Sequence, residues 1–277
     1  MARQRRPARA AASIALSGMR PGATGNITLL HADPEDHILG VVRRTGQFYE
    51  ADLLTSLARR LREGDLVLDV GANIGNHALF FAAICGCRVL ALEPDPLAFA
   101  LLGENIAANG MEGRISALNI ALGAAPGRAR MVRDAPHNLG ASSVVRDAAG
   151  SVAVQRLDDL PKLPRLKLVK MDVEGAEPLV LEGAARLLAS RRHPVFTAEA
   201  PTREAFLAIE AHLGPAGYVA TETHAATPTH IFEWSEVGPA RGLMQALGRN
   251  SAFQSIAIHR LGGRLKRELD RLHTPIP

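Results

Sequence analysis

The chain has 277 residues, 47% of them hydrophobic, which suffices for one large α/β domain or for one domain with an appended segment. Its net charge of +4 and pI near 9.5 are unevenly spread: residues 1–20 hold five Arg and no acid, residues 241–277 hold seven basic and two acidic residues, and this excess of five at each end leaves 21–240 at −6. An acidic body argues against a polyanion-binding cleft, so nucleic acid is not the expected partner, and no apolar run reaches the ~18–20 residues of a membrane-spanning helix.

In chain order, residues 1–25 read as a basic tail, disordered or loosely docked, in preference to a targeting segment. Its apolar patch is short and Ala-rich, and Arg5-Arg6 is followed by Pro7 without the rest of a twin-arginine signal. Residues 26–62 form a lead-in of short strands, ITLLHA and HILGVV, followed by a helix from about Tyr49 to Leu61. The sequence LVLDVGANIGN, Leu66 to Asn76, then organises the domain expected over 63–235. Leu66, Val67, Leu68 and Val70 are too continuously apolar for a half-exposed strand, so they predict a buried strand of a parallel sheet with Asp69 near its carboxyl end. Gly71 and Gly75 let the backbone turn sharply, and His77 to Cys85 continues as an apolar helix. Strand, glycine turn and helix make a nucleotide-type corner, because ligands of open α/β sheets settle at the carboxyl ends of the strands. A dinucleotide fingerprint needs G-x-G-x-x-G, whereas Gly71-Ala72-Asn73-Ile74-Gly75-Asn76 has Asn in place of the second glycine. Such a corner suits a ligand with an amino group and a sulfonium better than one with two phosphates. Cys85 and Cys87 are too close in sequence for a good disulfide and too few for zinc, which points to a soluble protein in a reducing cytoplasm.

Further along, Arg88 to Leu92 predicts a strand ending in Glu93-Pro94, where a carboxylate is placed to accept hydrogen bonds from two ribose hydroxyls. A helix follows to Asn109-Gly110, then a strand over Ile115 to Asn119 and the turn Ala121-Leu122-Gly123. Two short strands, RARMV and SVAVQ, flank the loop from His137 to Ser143. Leu166 to Met171 is the next sheet strand, and Lys170, Asp172 and Glu174 share one face of it if the extended form persists. Two carboxylates and an ammonium beside the cofactor strand are costly unless used or mutually paired; alternatively Asp172 and Glu174 cap the helix that begins near Glu177 and runs to about Ser190. Pro194 to Ala200 is a fifth strand with Glu199 at its end, Arg203 to Leu213 a helix, and Tyr218 to Glu222 with Thr229 to Trp234 an antiparallel closing pair. In the basic extension over 236–277, Leu261, Leu265, Leu269 and Leu272 lie at helical spacing, either as a basic amphipathic surface helix or as a stripe packed on its own domain, and Gly262-Gly263 weakens the helix.

LDVGANIG, the acid of ALEPD and KMDVEGAE together resemble the FkbM family of S-adenosylmethionine (SAM) methyltransferases, over roughly 46–235. The resemblance implies a class I methyltransferase Rossmann-like α/β fold: a mostly parallel seven-stranded sheet with an antiparallel closing strand and helices on both faces. It implies SAM as cofactor, with Asp69, Gly71, Ala72, Asn73, Gly75 and Asn76 around its amino acid part, Glu93 and Pro94 at the ribose, Asn119 beside the adenine and Asp172 adjoining. Gln47-Phe48-Tyr49-Glu50 resembles the family's lead-in, where Glu50 faces the cofactor mouth; Phe48 as core and Glu50 as a helix-start acid is an equal reading.

Methyl transfer is an in-line displacement, and a hydroxyl nucleophile calls for a base as attack proceeds. Asp172, Glu174 and Glu199 are the candidate catalytic carboxylates, with Glu174 or Glu199 as base and His137 as an alternative. The resemblance implies O-methylation of a hydroxyl on a glycan, lipid or secondary metabolite. Amino methyltransferases are disfavoured by the missing N/D-P-P-Y/W motif, and cytosine-C5 chemistry by the missing Pro-Cys pair. Three carboxylates without a further defined ligand do not assign a metal, and none is expected. Two other readings stay open: a non-catalytic SAM-binding adaptor whose basic ends dock a partner or a membrane surface, and a ribose 2′-O RNA methyltransferase using Lys170. A nicotinamide oxidoreductase is disfavoured by Asn73.

Overall fold

Leu168 and Val169, adjacent in one strand, lie in two different hydrophobic clusters, and so do Val67 and Leu68. Alternate side chains of the central strands therefore bury against helices on opposite faces, which explains the continuous apolar runs in the sequence. The computed structural model describes residues 9–17, 19, 25–133, 142–224, 228–236 and 239–273.

The chain enters through β1 (Ala10–Ala15), antiparallel to β2 (Asn26–His31), then α1 (His37–Thr45) and α2 (Ala51–Ala58). A wholly disordered tail over 1–25 is thus corrected: Ala12, Ile14 and Leu16 alternate into the core, the period-two signature of a strand. The expected strand HILGVV is also corrected. Asp36 accepts a hydrogen bond from Leu39 N at 2.9 Å as an N-cap, and the buried pair Leu39 and Val42 is spaced three apart, so the run is helical.

Next come β3 (Leu66–Val70), α3 (Asn76–Ala83), β4 (Arg88–Leu92), α4 (Pro96–Ala108) and β5 (Ile115–Leu118), close to the predicted elements. Two asparagines on α4 tie the lead-in to this unit. The Asn105 carboxamide accepts from Leu30 N at 2.7 Å and donates to Leu30 O and Ile74 O; that of Asn109 accepts from Thr28 N and donates to Thr28 O, both at 2.8 Å. The two residues are one helical turn apart and grip alternate residues of β2.

The region from Ile120 departs from expectation. Instead of a turn, Ile120–Leu122 is β6, which joins β7 (Gly127–Arg133), β8 (Ser142–Arg146) and β9 (Val152–Gln155) in a second, four-stranded sheet ordered β6-β9-β7-β8. Ala121, Ala129, Val152 and Val154 form its own small core. Of the loop read over His137 to Ser143, residues 137–141 lie outside the described residues, while Ser142 and Ser143 begin β8.

After β10 (Leu166–Met171), the single helix predicted from Glu177 to Ser190 is two: α5 (Glu177–Glu182), with Pro178 in its first turn, and α6 (Ala185–Leu188). The break falls where Gly183 presses on the second sheet; a Cβ there would lie 2.2 Å from Gly123 O. Then follow β11 (Val195–Glu199), α7 (Arg203–Leu213), β12 (Tyr218–His224), β13 (Thr229–Trp234) and α8 (Pro239–His273). The main sheet runs β12-β13-β11-β10-β3-β4-β5, with β13 antiparallel to both neighbours. This is the predicted seven-stranded, mostly parallel sheet with its antiparallel closing strand.

The C-terminal extension is one 35-residue helix in spite of Gly262-Gly263. Ala252 and Ile256 are buried in the second cluster, and Arg249 pairs with Glu210 at 2.7 Å. Leu261 and Leu265 do not pack on the domain, each being 63% exposed. Cys85 and Cys87 are both free thiols.

Candidate active site

The carboxyl ends of β3, β4, β10 and β11 open on one cleft of about 220 Å³. Its floor is fixed by Gly71. With φ of +76° and its Cα so close to the next strand that a Cβ would lie 1.9 Å from Asp172 O, this position admits only glycine. The turn ends on Asn73, itself left-handed at φ 49°, whose backbone N–H donates to Glu93 Oε2 at 2.7 Å. Glu93 Oε1 accepts from Asp95 N, also at 2.7 Å. Each Glu93 oxygen is thus oriented by one backbone donor and keeps a second lone pair. Burial raises this carboxyl to about 7, against the opposing pull of those two N–H groups and of Lys170.

A second wall is apolar, made by Leu92, Ile120, Leu122, Met131 and Val144, four of them from the four-stranded sheet that the sequence did not reveal as a sheet. Arg133, at the end of β7, grips Asp95 through two hydrogen bonds of 2.9 and 2.6 Å and so fixes this wall against the start of α4. The lead-in supplies Asp36, His37, Ile38, Tyr49 and Glu50.

Of the residues singled out from sequence, Glu50, Gly71, Asn73, Glu93, Pro94, Asp172, Glu174 and Glu199 line the cleft. Asp69, Ala72, Gly75, Asn76 and Asn119 stand behind it, for identifiable reasons. Asp69 is fully buried and faces Lys170, Nζ to Oδ1 at 3.1 Å. Ala72 N donates to Leu92 O at 3.0 Å, fastening the turn to β4. Gly75 packs beneath Leu102. Asn76 clamps the lead-in, its carboxamide bonding both Tyr49 N and Tyr49 O at 3.1 Å. Asn119 donates to Glu93 O and Pro94 O at 2.8 and 3.1 Å, shaping the turn that carries Glu93.

Lys170 is the centre of the charge arrangement. Burial works against its ammonium, but Asp69 and Asp172 outweigh burial and hold it charged, with its pKa above the usual lysine value. It donates to Gly71 O at 2.8 Å and lies 3.6 Å from Asp172 Oδ2. Only 4% exposed and so committed, it presents no free cation to a substrate and lends no support to the ribose 2′-O alternative.

On the other side, Glu199 sits at the end of β11 next to Asp172. Burial, then the charge of Asp172 and a hydrogen bond to it, push Glu199 up to about 9, so it is the protonated partner at neutral pH. Glu174, exposed at the rim, follows in a left-handed conformation at φ 53°, which breaks the extended run that the sequence implied and turns the chain toward α5. Glu177, rather than Asp172 or Glu174, caps this turn, accepting from Val173 N at 3.0 Å. His77, which sequence reasoning missed, lies 3.3 Å from Glu50; its place in the first turn of α3, beside the Gly75 corner, was the available signal.

These shifts predict a pH effect on stability. A carboxyl raised from 4.5 to about 9 on folding contributes stability that is complete below about 4.5 and is lost as pH rises toward about 9. Wild-type protein should therefore melt progressively lower than Glu199→Gln across that window. A constant gap between the two melting curves at all pH values would contradict it.

The methyltransferase FkbM domain matches residues 69–240 of the chain. The hexuronic acid methyltransferase AglP of Haloferax volcanii is 32% identical over 149 residues, which cover 51% of this chain and 59% of AglP. The methyltransferase sdnD of Sordaria araneosa is 28% identical over 159 residues, 44% of this chain and 61% of sdnD. The chain thus spans about three-fifths of the length of these curated relatives. Among solved structures, the precorrin-6y C5,15-methyltransferase of Geobacter metallireducens is 18% identical with a TM-score of 0.44, covering 68% of this chain and 88% of that one. With the domain match extending over more than half of the chain, from Asp69 at the glycine turn to residue 240 and including the Asp172–Glu174 cluster and Glu199, the protein belongs to the FkbM methyltransferase family.

Proposed function

We propose that the cleft binds SAM and that the protein methylates an uncharged hydroxyl on a glycan, lipid or secondary metabolite. The observation that carries this reading is the combination, in one cleft, of an oriented carboxylate and an orphaned acceptor. Asn73 Oδ1 is buried and takes no hydrogen bond from any described residue, which suits the ammonium of the cofactor. Glu93, with a spare lone pair on each oxygen, suits two ribose hydroxyls, and the apolar wall of Ile120, Leu122 and Met131 suits an adenine ring.

When bound, SAM supplies a methyl carbon activated by its sulfonium. The chain's own residues have to align the acceptor oxygen with that carbon and receive its proton. Glu174 is our candidate base, being open at the rim, while Asp172 and Glu199 hold one proton between them and hydrogen-bond the acceptor. The name of AglP supports a sugar as acceptor, but the hexuronic acid it names carries a carboxyl group, and on that point the lining of this cleft departs from it. The lining argues for an uncharged one: Asp36, Glu50, Glu93, Asp172, Glu174 and Glu199 face the cleft, and no Lys or Arg does so among the described residues. A carboxylated or phosphorylated acceptor would meet like charge there.

The test is titration calorimetry with S-adenosylhomocysteine, with NAD as control. Micromolar binding of the first ligand alone supports the reading, and no binding sinks it. Glu93→Ala removes two hydrogen bonds to a charged group, roughly 3 kcal/mol, and should weaken binding on the order of 100-fold. Because the ionised carboxylate accepts both hydroxyls and the neutral acid does not, affinity should rise as pH passes upward through about 7. Glu93→Gln should abolish that dependence.

A further inference from the structure

The outward face of α8 is not used by anything described so far. Leu243, Leu247, Ile258, Leu261 and Leu265 are each 60–65% exposed. At ~100° per residue they project within about 60° of one another, forming a straight apolar stripe ~33 Å long. It lies roughly opposite Ala252 and Ile256, which fix the helix to the domain together with Phe253, whose ring contacts Phe206 edge-on at 5.7 Å. A Cβ on Gly248 would lie 2.1 Å from Ala220 O, so helix and sheet are in direct backbone contact there. The stripe is therefore held outward by a rigid attachment.

Charge says what covers it. Over its whole length, 239–273, α8 contains seven Lys and Arg against two acids, Glu268 and Asp270, an excess of five, and Arg249 and Arg260 are already paired with Glu210 and Glu204 of the domain. Arg264 and Lys266 fall about 100° to either side of the stripe, where long side chains can lay their stems along an apolar surface and their charges at its border. Arg264, Lys266 and Arg267 are all exposed. A second copy of the helix, in either orientation, would set one excess of five positive charges against another across the seam, with two acids on each copy to offset seven cations. No described helix is long and apolar enough to cross a membrane. We propose that α8 docks the protein in the plane of an anionic lipid bilayer, the apolar stripe entering the headgroup boundary and the flanking cations meeting lipid phosphates.

The test uses the full chain in cosedimentation with phosphatidylcholine vesicles, with and without phosphatidylglycerol. Binding is expected only to the anionic vesicles and should fall with salt. Leu261→Glu/Leu265→Glu, on an exposed face where the fold is not at stake, should lose at least about tenfold in binding while circular dichroism stays unchanged. Arg264→Glu/Lys266→Glu should lose at least as much and flatten the salt dependence. The proposal fails if folded wild-type protein ignores anionic vesicles, or if the leucine variant binds them as wild type does. It also fails if sedimentation velocity shows that the stripe joins two copies and the leucine variant merely separates them. None of these readings depends on cofactor binding.

Discussion

Replacing Lys170 by Met should cost about 3–5 kcal/mol of folding stability, a large part of what a domain possesses. The reason is Asp69, fully buried with the Lys170 ammonium 3.1 Å from its carboxylate. Removing the cation leaves a desolvated anion beneath the glycine turn, and methionine fills the space of the lysine stem without relieving it. Asp172, 38% exposed, can turn to water and suffers less. The double variant Asp69→Asn/Lys170→Met should therefore recover most of the loss, because both charges are gone together. Urea unfolding of the two single variants and the double variant measures this directly. A loss under about 1 kcal/mol in Lys170→Met would mean that Asp69 is protonated or hydrated in the folded protein.

The second large effect is expected on rate. Glu174→Gln should lower methyl transfer about 10²–10⁴-fold and leave affinity for S-adenosylhomocysteine nearly unchanged, since the base acts in the transition state and not on the cofactor. Glu199→Gln should cost much less. Glu199 carries the proton toward Asp172 at neutral pH, and a glutamine amide donates the same hydrogen bond. The comparison separates a base from a proton-holding neighbour, and the reverse order of the two variants would transfer the role to Glu199. An adaptor without turnover would show neither effect.

The parts of this molecule legible in the sequence are those where composition leaves one solution. LVLDV cannot be a surface strand, and Gly71 before an apolar helix announces a tight corner, so the sheet centre and Glu93 were readable. What stayed hidden depends on contacts far apart in the chain. Asp69 reads as a ligand residue because acids at strand ends usually are, yet its partner Lys170 is a hundred residues away and faces it across paired strands. HILGVV has the composition of a strand; only the Asp36 cap reveals a helix. Strands β6 to β9 are short and partly exposed, and nothing local distinguishes a second sheet from a hairpin. Asn76 and Asn119 were noticed for the right neighbourhood, but their carboxamides hold backbone rather than facing the cleft.

The asparagine pair on α4 has a further consequence for the molecule in solution. A two-stranded ribbon offers its outer strand to any extended peptide that meets it, and β2 would do so at Thr28 and Leu30. Asn105 and Asn109 fill both positions with side-chain amides that imitate a neighbouring strand, satisfying both the N–H and the C=O of each residue. The imitation cannot propagate, since a carboxamide has no chain beyond it. Thus the β2 edge of the lead-in ribbon is closed to intermolecular strand pairing by the same four hydrogen bonds that seat it on the domain.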